Sequence, residues 1–193
     1  MEHRQRFATL TALMKRGPKE SWFTEHVKGE DYYLEPNFNF SQYFFTKDTA
    51  VSLVTALDTF KNPCCLCTPR LADEWLKRGR VVTLLDIDSR FQYLPGFRQF
   101  DLRSPVTLDE KFDVIVIDPP FFVAEALLPL VRLLARDTNP ALFLVFPKER
   151  EKELIEVFSE FHLKSTGISL AHCNVKREST FLFALYGSQR ISI

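Results

Sequence analysis

The sequence predicts a doubly wound α/β domain built on a mostly parallel sheet. Three observations carry that expectation: short apolar runs that are nearly continuous, helical periodicities between them, and aspartates standing directly after two of the runs. A strand apolar at successive positions is covered on both faces, which a parallel sheet achieves by laying crossover helices on either side. The 193 residues suffice for one domain of ordinary size. With 46% hydrophobic and 26% charged residues, disorder is excluded over most of the length.

Taken in order, residues 1–35 read as an N-terminal extension and residues 36–193 as the domain. The extension starts with Phe7, Leu10, Leu13 and Met14 at helical spacing, is broken at Gly17-Pro18, and carries Trp22, Phe23, Tyr32 and Tyr33. An aromatic loop, Asn37 to Phe45, comes next. Thr46 is placed to cap a helix with Asp48 in its first turn and Ala50, Leu53, Val54 and Leu57 on its apolar face. Cys64 to Thr68 reads as the first strand, and Leu71, Trp75 and Leu76 as the helix after Pro69-Arg70. Val81 to Leu85 and Phe112 to Ile117 are strands ending at Asp86 and Asp118. Val123, Leu127, Leu130 and Leu134 predict a helix that begins late or kinks at Pro129. Ala141 to Phe146 is a strand, Glu149 to Phe161 a helix, and about Leu163 to Leu170 with Thr180 to Tyr186 a terminal antiparallel pair.

Charge and cysteine usage narrow the function classes. Lys plus Arg and Asp plus Glu both total 25, so the net charge is zero. A protein that coats duplex nucleic acid is usually basic, so any nucleic acid must be held locally or by a partner. No apolar run is long enough to span a membrane and none resembles a signal peptide, which gives a cytoplasmic or nuclear expectation. Cys64, Cys65 and Cys67 crowd one strand and Cys173 stands alone, unlike a disulfide framework or a zinc site. They read as buried strand residues, with Cys67 or Cys173 as the candidates to line a pocket. His3, His26, His162 and His172 are scattered and read as surface or core residues; no metal site is expected.

The chemistry concentrates where strands end. In Asp118-Pro119-Pro120-Phe121, two prolines remove two N–H donors and leave a carboxylate beside unpartnered carbonyls. Such an acceptor-only clamp suits a group that donates two hydrogen bonds, such as an amino group on a planar ring stacked on Phe121. Leu84-Leu85-Asp86-Ile87-Asp88 puts an acid at the end of the second strand, where Asp86 or Asp88 can accept both hydroxyls of a ribose. Asp101 can accept from an adenine amino group. The first strand runs into Cys67-Thr68-Pro69-Arg70 without a glycine-rich turn, which disfavours a dinucleotide and leaves room for a nucleoside cofactor that has no pyrophosphate.

These segments, with Phe40-Ser41-Gln42-Tyr43-Phe44 before them and Phe146-Pro147 after, resemble the eukaryotic N6-adenine methyltransferase-like family over about residues 36–187. The Thr-Pro-Arg-Leu and Leu-Asp-Ile-Asp segments look closer to its zinc-finger CCHC-domain ribosomal RNA branch than to its elongation factor 1A lysine branch. The resemblance implies a class I (Rossmann-like) S-adenosylmethionine-dependent methyltransferase. It implies that Phe40, Gln42 and Tyr43 hold the cofactor from the N-terminal side, that Thr68 lies near its methionine part, Asp86 (or Asp88) on its ribose and Asp101 near its adenine. Asp118, Pro119, Pro120 and Phe121 would hold the target amino group, with Asp118 also facing the cofactor. Three departures stand out: no zinc fingers occur in these residues, Phe122-Val123 replaces the glycines expected after the motif, and Cys67 stands where a glycine is expected. The function expected first is methylation of adenine N6 in RNA; the alternatives are a protein-lysine methyltransferase, or an inactive methyltransferase-fold subunit working with a protein partner.

Overall fold

A computed structural model describes residues 33–120, 123–173, 175 and 182–191. The expected N-terminal extension before Tyr33, together with Phe121, Phe122, Lys176 and Arg177, lies outside the described residues. Among the described residues, four helices, α1 (Lys47–Ala56), α2 (Pro69–Lys77), α3 (Ala124–Leu134) and α4 (Glu151–Val157), accompany seven strands in one sheet. The strands are β1 (Pro63–Leu66), β2 (Thr83–Asp86), β3 (Phe97–Gln99), β4 (Val114–Ile117), β5 (Ala141–Pro147), β6 (Lys164–Ser165) and β7 (Phe183–Gly187). Their order is β3-β2-β1-β4-β5-β7-β6. The first five are parallel, and β7 runs antiparallel to both β5 and β6. This is the doubly wound, mostly parallel α/β sheet with an antiparallel terminal pair that the sequence predicts.

The reason is visible in the central strands. Every residue of β1, β4 and β5 is buried, so neither face can meet water. From β1 the chain winds outward through β2 and β3, then returns to the other side of β1 for β4 and β5. With right-handed crossovers, that reversal puts α2 and α3 on opposite faces. Helix α2 starts with Pro69 at its first position and buries Leu71, Ala72 and the fully enclosed Trp75. Helix α1 starts as predicted: the Thr46 hydroxyl accepts the Thr49 N–H at 3.3 Å.

Several boundaries differ from the sequence reading. The strand expected from Phe112 begins at Val114, because the Asp113 carboxylate turns back to accept the N–H groups of Lys61 and Asn62. Helix α3 starts five residues before Pro129 instead of after it. Pro129 removes only the bond to the Glu125 carbonyl, and both residues face solvent, where water can satisfy that carbonyl. The long helix expected over Glu149–Phe161 is the short α4 between two 3-10 turns; Leu154 and Phe158 are buried, and His162 takes a left-handed turn (φ 52°) that returns Leu163 to the core. Strand β6 spans two residues, the chain turning soon after at Gly167 (φ 75°).

At the β2–β3 edge the backbone itself leaves no room. A Cβ at Gly96 would stand 1.8 Å from the Val82 carbonyl oxygen, while the Gly96 carbonyl accepts the Leu84 N–H at 3.0 Å. Gly96→Ala is therefore expected to lower unfolding free energy by at least about 2 kcal/mol in urea titrations, through backbone displacement at the sheet edge.

Candidate active site

In doubly wound sheets ligands bind beyond the carboxyl ends of the strands, at the point where the order reverses. Here that point lies between β1 and β4, and ladder bonds extend one residue past the strands to anchor the loops beyond them. Cys67 N–H donates to the Leu85 carbonyl at 2.9 Å, Asp118 N–H to Leu66 at 3.3 Å, and Phe100 N–H to Asp86 at 2.8 Å. A cleft opens above these three ends. Its walls are Cys67 and Pro69, Asp86 and Ile87, Phe100 to Arg103, Asp118 to Pro120, and a strap formed by Asn39 to Phe44.

The structure brings most of the sequence-predicted residues to this cleft. Phe40, Gln42, Tyr43, Asp86, Asp101, Asp118, Pro119 and Pro120 all line it. Thr68 and Asp88 do not; Thr68 is buried as the residue preceding α2, and its hydroxyl has no hydrogen-bond partner among the described residues. Phe121 lies outside the described residues.

Each aspartate has a different environment. Asp86 is buried at the end of β2, and one carboxylate oxygen accepts the Asp88 N–H at 3.0 Å. Burial without a close cation pushes its pKa up to about 6. Asp88 turns away from the cleft. Its carboxylate receives the Arg90 Nε at 2.9 Å, the Arg90 Nη2 at 2.6 Å and the Gln42 Nε2 at 2.7 Å. Against the cost of burial, these donors hold it below the ordinary carboxylate range. Gln42 Oε1 in turn accepts from Asn37 N–H and Arg90, and Arg90 reaches the Glu35 carbonyl. Gln42, Asp88 and Arg90 thus clamp the strap over the cleft. Asp101 is gripped by Arg103, whose Nε lies 2.9 Å from one oxygen and Nη2 2.8 Å from the other; the pairing lowers its pKa. Burial pushes the Tyr43 phenol up to about 12.

Asp118 has the arrangement that the sequence did not reveal. Its carboxylate oxygen Oδ2 lies 2.8 Å from Nε2 of His172, and both side chains are nearly enclosed. His172 is delivered by the segment before β7, which bridges to Phe45, the residue directly after the strap. No local pattern marks a histidine 54 residues away as a neighbour of Asp118. Cys173, considered as a pocket residue, instead lies in a packed junction where Arg70 contacts its sulfur at 2.9 Å and the Phe45 carbonyl at 2.8 Å.

Cys67 does line the cleft, at a price in backbone conformation: φ is 57°, in the left-handed region. Burial, then the nearby Asp86 and Asp118, raises its thiol pKa well above the usual value. The glycine expected at this position would adopt the same φ without strain. Cys67→Gly is expected to be about 1 kcal/mol more stable than Cys67→Ala in chemical unfolding, since both lack the thiol but only alanine keeps the strain. Equal stabilities would remove strain from the account.

EEF1A lysine methyltransferase 1 of Bos taurus is 28% identical over 66% of this chain and 65% of its own length, and the Mus musculus protein of that name is 28% identical over 62% and 63%. The chain thus spans just under two thirds of those relatives. Protein-lysine N-methyltransferase M142.8 of Caenorhabditis elegans is 30% identical over 66% of this chain and 70% of its own. A chain of the E. cuniculi Mtq2–Trm112 complex, responsible for methylation of the eRF1 translation termination factor, shares 18% identity over 76% of this chain and 98% of that one, with a TM-score of 0.43. Residues 36–188 match the family model described as probable N6-adenine methyltransferase, and with most of its length matched the chain belongs to that family of S-adenosylmethionine-dependent methyltransferases.

Proposed function

We propose that the chain is a protein-lysine N-methyltransferase that accepts a lysine ε-amino group at Asp118. The observation that carries this reading is the Asp118 carboxylate at the strand-order reversal, beside a loop whose two prolines contribute no N–H donors. A neutral amine has two hydrogens to donate and one lone pair to attack with. Holding the hydrogens with acceptors aims the lone pair away from them. Two considerations favour lysine over adenine as the owner of that amine. The relatives above are named as lysine methyltransferases. Among the described residues, Arg103 in the cleft wall and Arg90 in the strap clamp are each paired with a carboxylate, Asp101 and Asp88, which weakens any grip on a phosphate backbone.

The residues present fit S-adenosylmethionine, the methyl donor of this family. Asp86 is a buried carboxylate with one oxygen engaged only by a backbone N–H, so it retains acceptor capacity for ribose hydroxyls. Phe40 and Tyr43 supply an apolar wall, and Asp101 stands with Phe100 and Leu102 where a base would lie. Gln42 and Asp88 act on the cofactor through the strap they clamp. When bound, the cofactor supplies an activated sulfonium methyl. The protein's part is then to orient the amine, exclude water with Pro119, Pro120 and the strap, and accept hydrogen bonds. A lysine must reach Asp118 unprotonated to attack.

Adenine N6 is the second reading, favoured by the family's description and by the fit of the acceptor loop to a planar amino group. Incubation of the protein with methyl-labelled S-adenosylmethionine and separate protein, RNA and DNA pools distinguishes them. Label is expected in methyl-lysine after protein hydrolysis, and Asp118→Ala is expected to abolish it with cofactor affinity kept within about threefold. Label in N6-methyladenine instead would replace the lysine reading with the adenine one.

The Asp86 assignment has its own test. With a pKa of about 6, Asp86 is a carboxylate above that pH and protonated below it. Cofactor binding that uses the carboxylate favours the ionised form, so binding releases a proton and weakens by up to about tenfold per pH unit below 6. Calorimetric titration from pH 5 to pH 7.5 is expected to show this slope, and Asp86→Asn to bind more weakly with a flat profile.

A further inference from the structure

We propose that His172 is a positioning residue for the reaction: its Nε2–H fixes one oxygen of Asp118 so that the other faces the incoming amine. The inference rests on Asp118 as the amine acceptor, and not on which amine is accepted. Nε2 stands 2.8 Å from Asp118 Oδ2, and His172 is the only side chain bonded to that carboxylate among the described residues. The tautomer is set by the other ring nitrogen. Nδ1 is buried and has no hydrogen-bond partner among the described residues. A proton on Nδ1 would leave a buried donor unsatisfied and turn the Nε2 lone pair toward the carboxylate, whereas a proton on Nε2 gives the carboxylate its donor.

The ring cannot turn away easily. Phe45 packs against it with centroids 4.9 Å apart, and Phe183 meets it edge-on at 6.1 Å. The backbone on either side is tied to the strap: Thr46 N–H donates to the Ala171 carbonyl at 2.8 Å, and Cys173 N–H to Phe44 at 2.7 Å. The Asp118 donor is therefore part of the same body as the wall formed by Asn39 to Phe44. A carboxylate has a broad torsional well about its last bond, so an unrestrained Asp118 would sample many orientations. Displacement of about 1 Å at a reacting centre can reduce the rate about a hundredfold. His172 links the cofactor wall to the acceptor carboxylate and removes that freedom.

Two variants separate this role from simple packing. His172→Phe keeps a ring between Phe45 and Phe183 but removes the donor; His172→Gln restores an N–H at about the position of Nε2. In steady-state methyl transfer to whichever pool takes label, His172→Phe is expected to lower kcat about 10- to 100-fold. KM for the acceptor and cofactor affinity should stay within about threefold, and His172→Gln should recover most of the loss. A His172→Phe kcat within twofold of the unmodified protein, or equal losses in both variants, overturns the proposal. Label in RNA would displace the lysine reading and leave this comparison intact. A second measurement needs no acceptor: nitrogen-15 NMR of the histidine-labelled protein should show His172 protonated at Nε2 and bare at Nδ1, with both resonances moving in Asp118→Ala. A bare Nε2, or resonances unmoved by that substitution, overturns it equally.

Discussion

Burial of β1 and β4 on both faces is the constraint on which the rest of the molecule depends. Strands enclosed by helices cannot tolerate charge along their length, so polar residues are driven to the ends. The order reverses between these two strands, so no crossover covers the gap at their carboxyl ends. Asp118 and Asp86 occupy the first positions where the sheet allows a carboxylate. The cleft is a consequence of topology, and its chemistry is set by the residues the chain places just beyond the last apolar position.

Four aspartates approach that cleft, and their partners divide the work. Asp88 and Asp101 are each held by an arginine two residues further on, Arg90 and Arg103, so both are neutralised locally. Asp86 meets a backbone N–H and Asp118 meets a histidine ring. Of the three that line the cleft, Asp101 is paired with Arg103, whereas Asp86 and Asp118 have no arginine as direct partner. A donor that is part of the backbone or an imidazole fixes a carboxylate without filling its acceptor sites, whereas a bidentate guanidinium fills them.

The strap extends the same logic. Asn39 to Phe44 belong to no strand of the sheet, yet they form one wall of the cleft. They stay in place because Gln42 joins Asp88 and Arg90 on one side, while Phe44, Phe45 and Thr46 join the 171–173 segment on the other. Arg70 at the start of α2 bonds the Phe45 carbonyl between them. Any movement of the strap is thus transmitted both to Asp88, beyond β2, and to Asp118, through His172.

The sequence by itself determined the sheet, its central strands, the capped α1, the Pro-initiated α2 and the acids after β2 and β4. These depend on local causes: apolar runs, helical spacing and caps act within a few residues. It also marked Cys67 as standing where a glycine is expected, and the positive φ there is one that glycine adopts freely. Strand ends proved less legible where a side chain turned back on the backbone, as Asp113 does, or where solvent satisfied a carbonyl freed by Pro129. Only the tertiary structure put Asp86, and not Asp88, on the cleft wall, and only it joined His172 to Asp118. Those choices depend on contacts between residues 46 and 54 positions apart, Gln42 with Asp88 and His172 with Asp118. A hydrogen bond at that separation leaves no periodicity in the chain; it exists because folding brings two otherwise unrelated loops to the same end of the sheet.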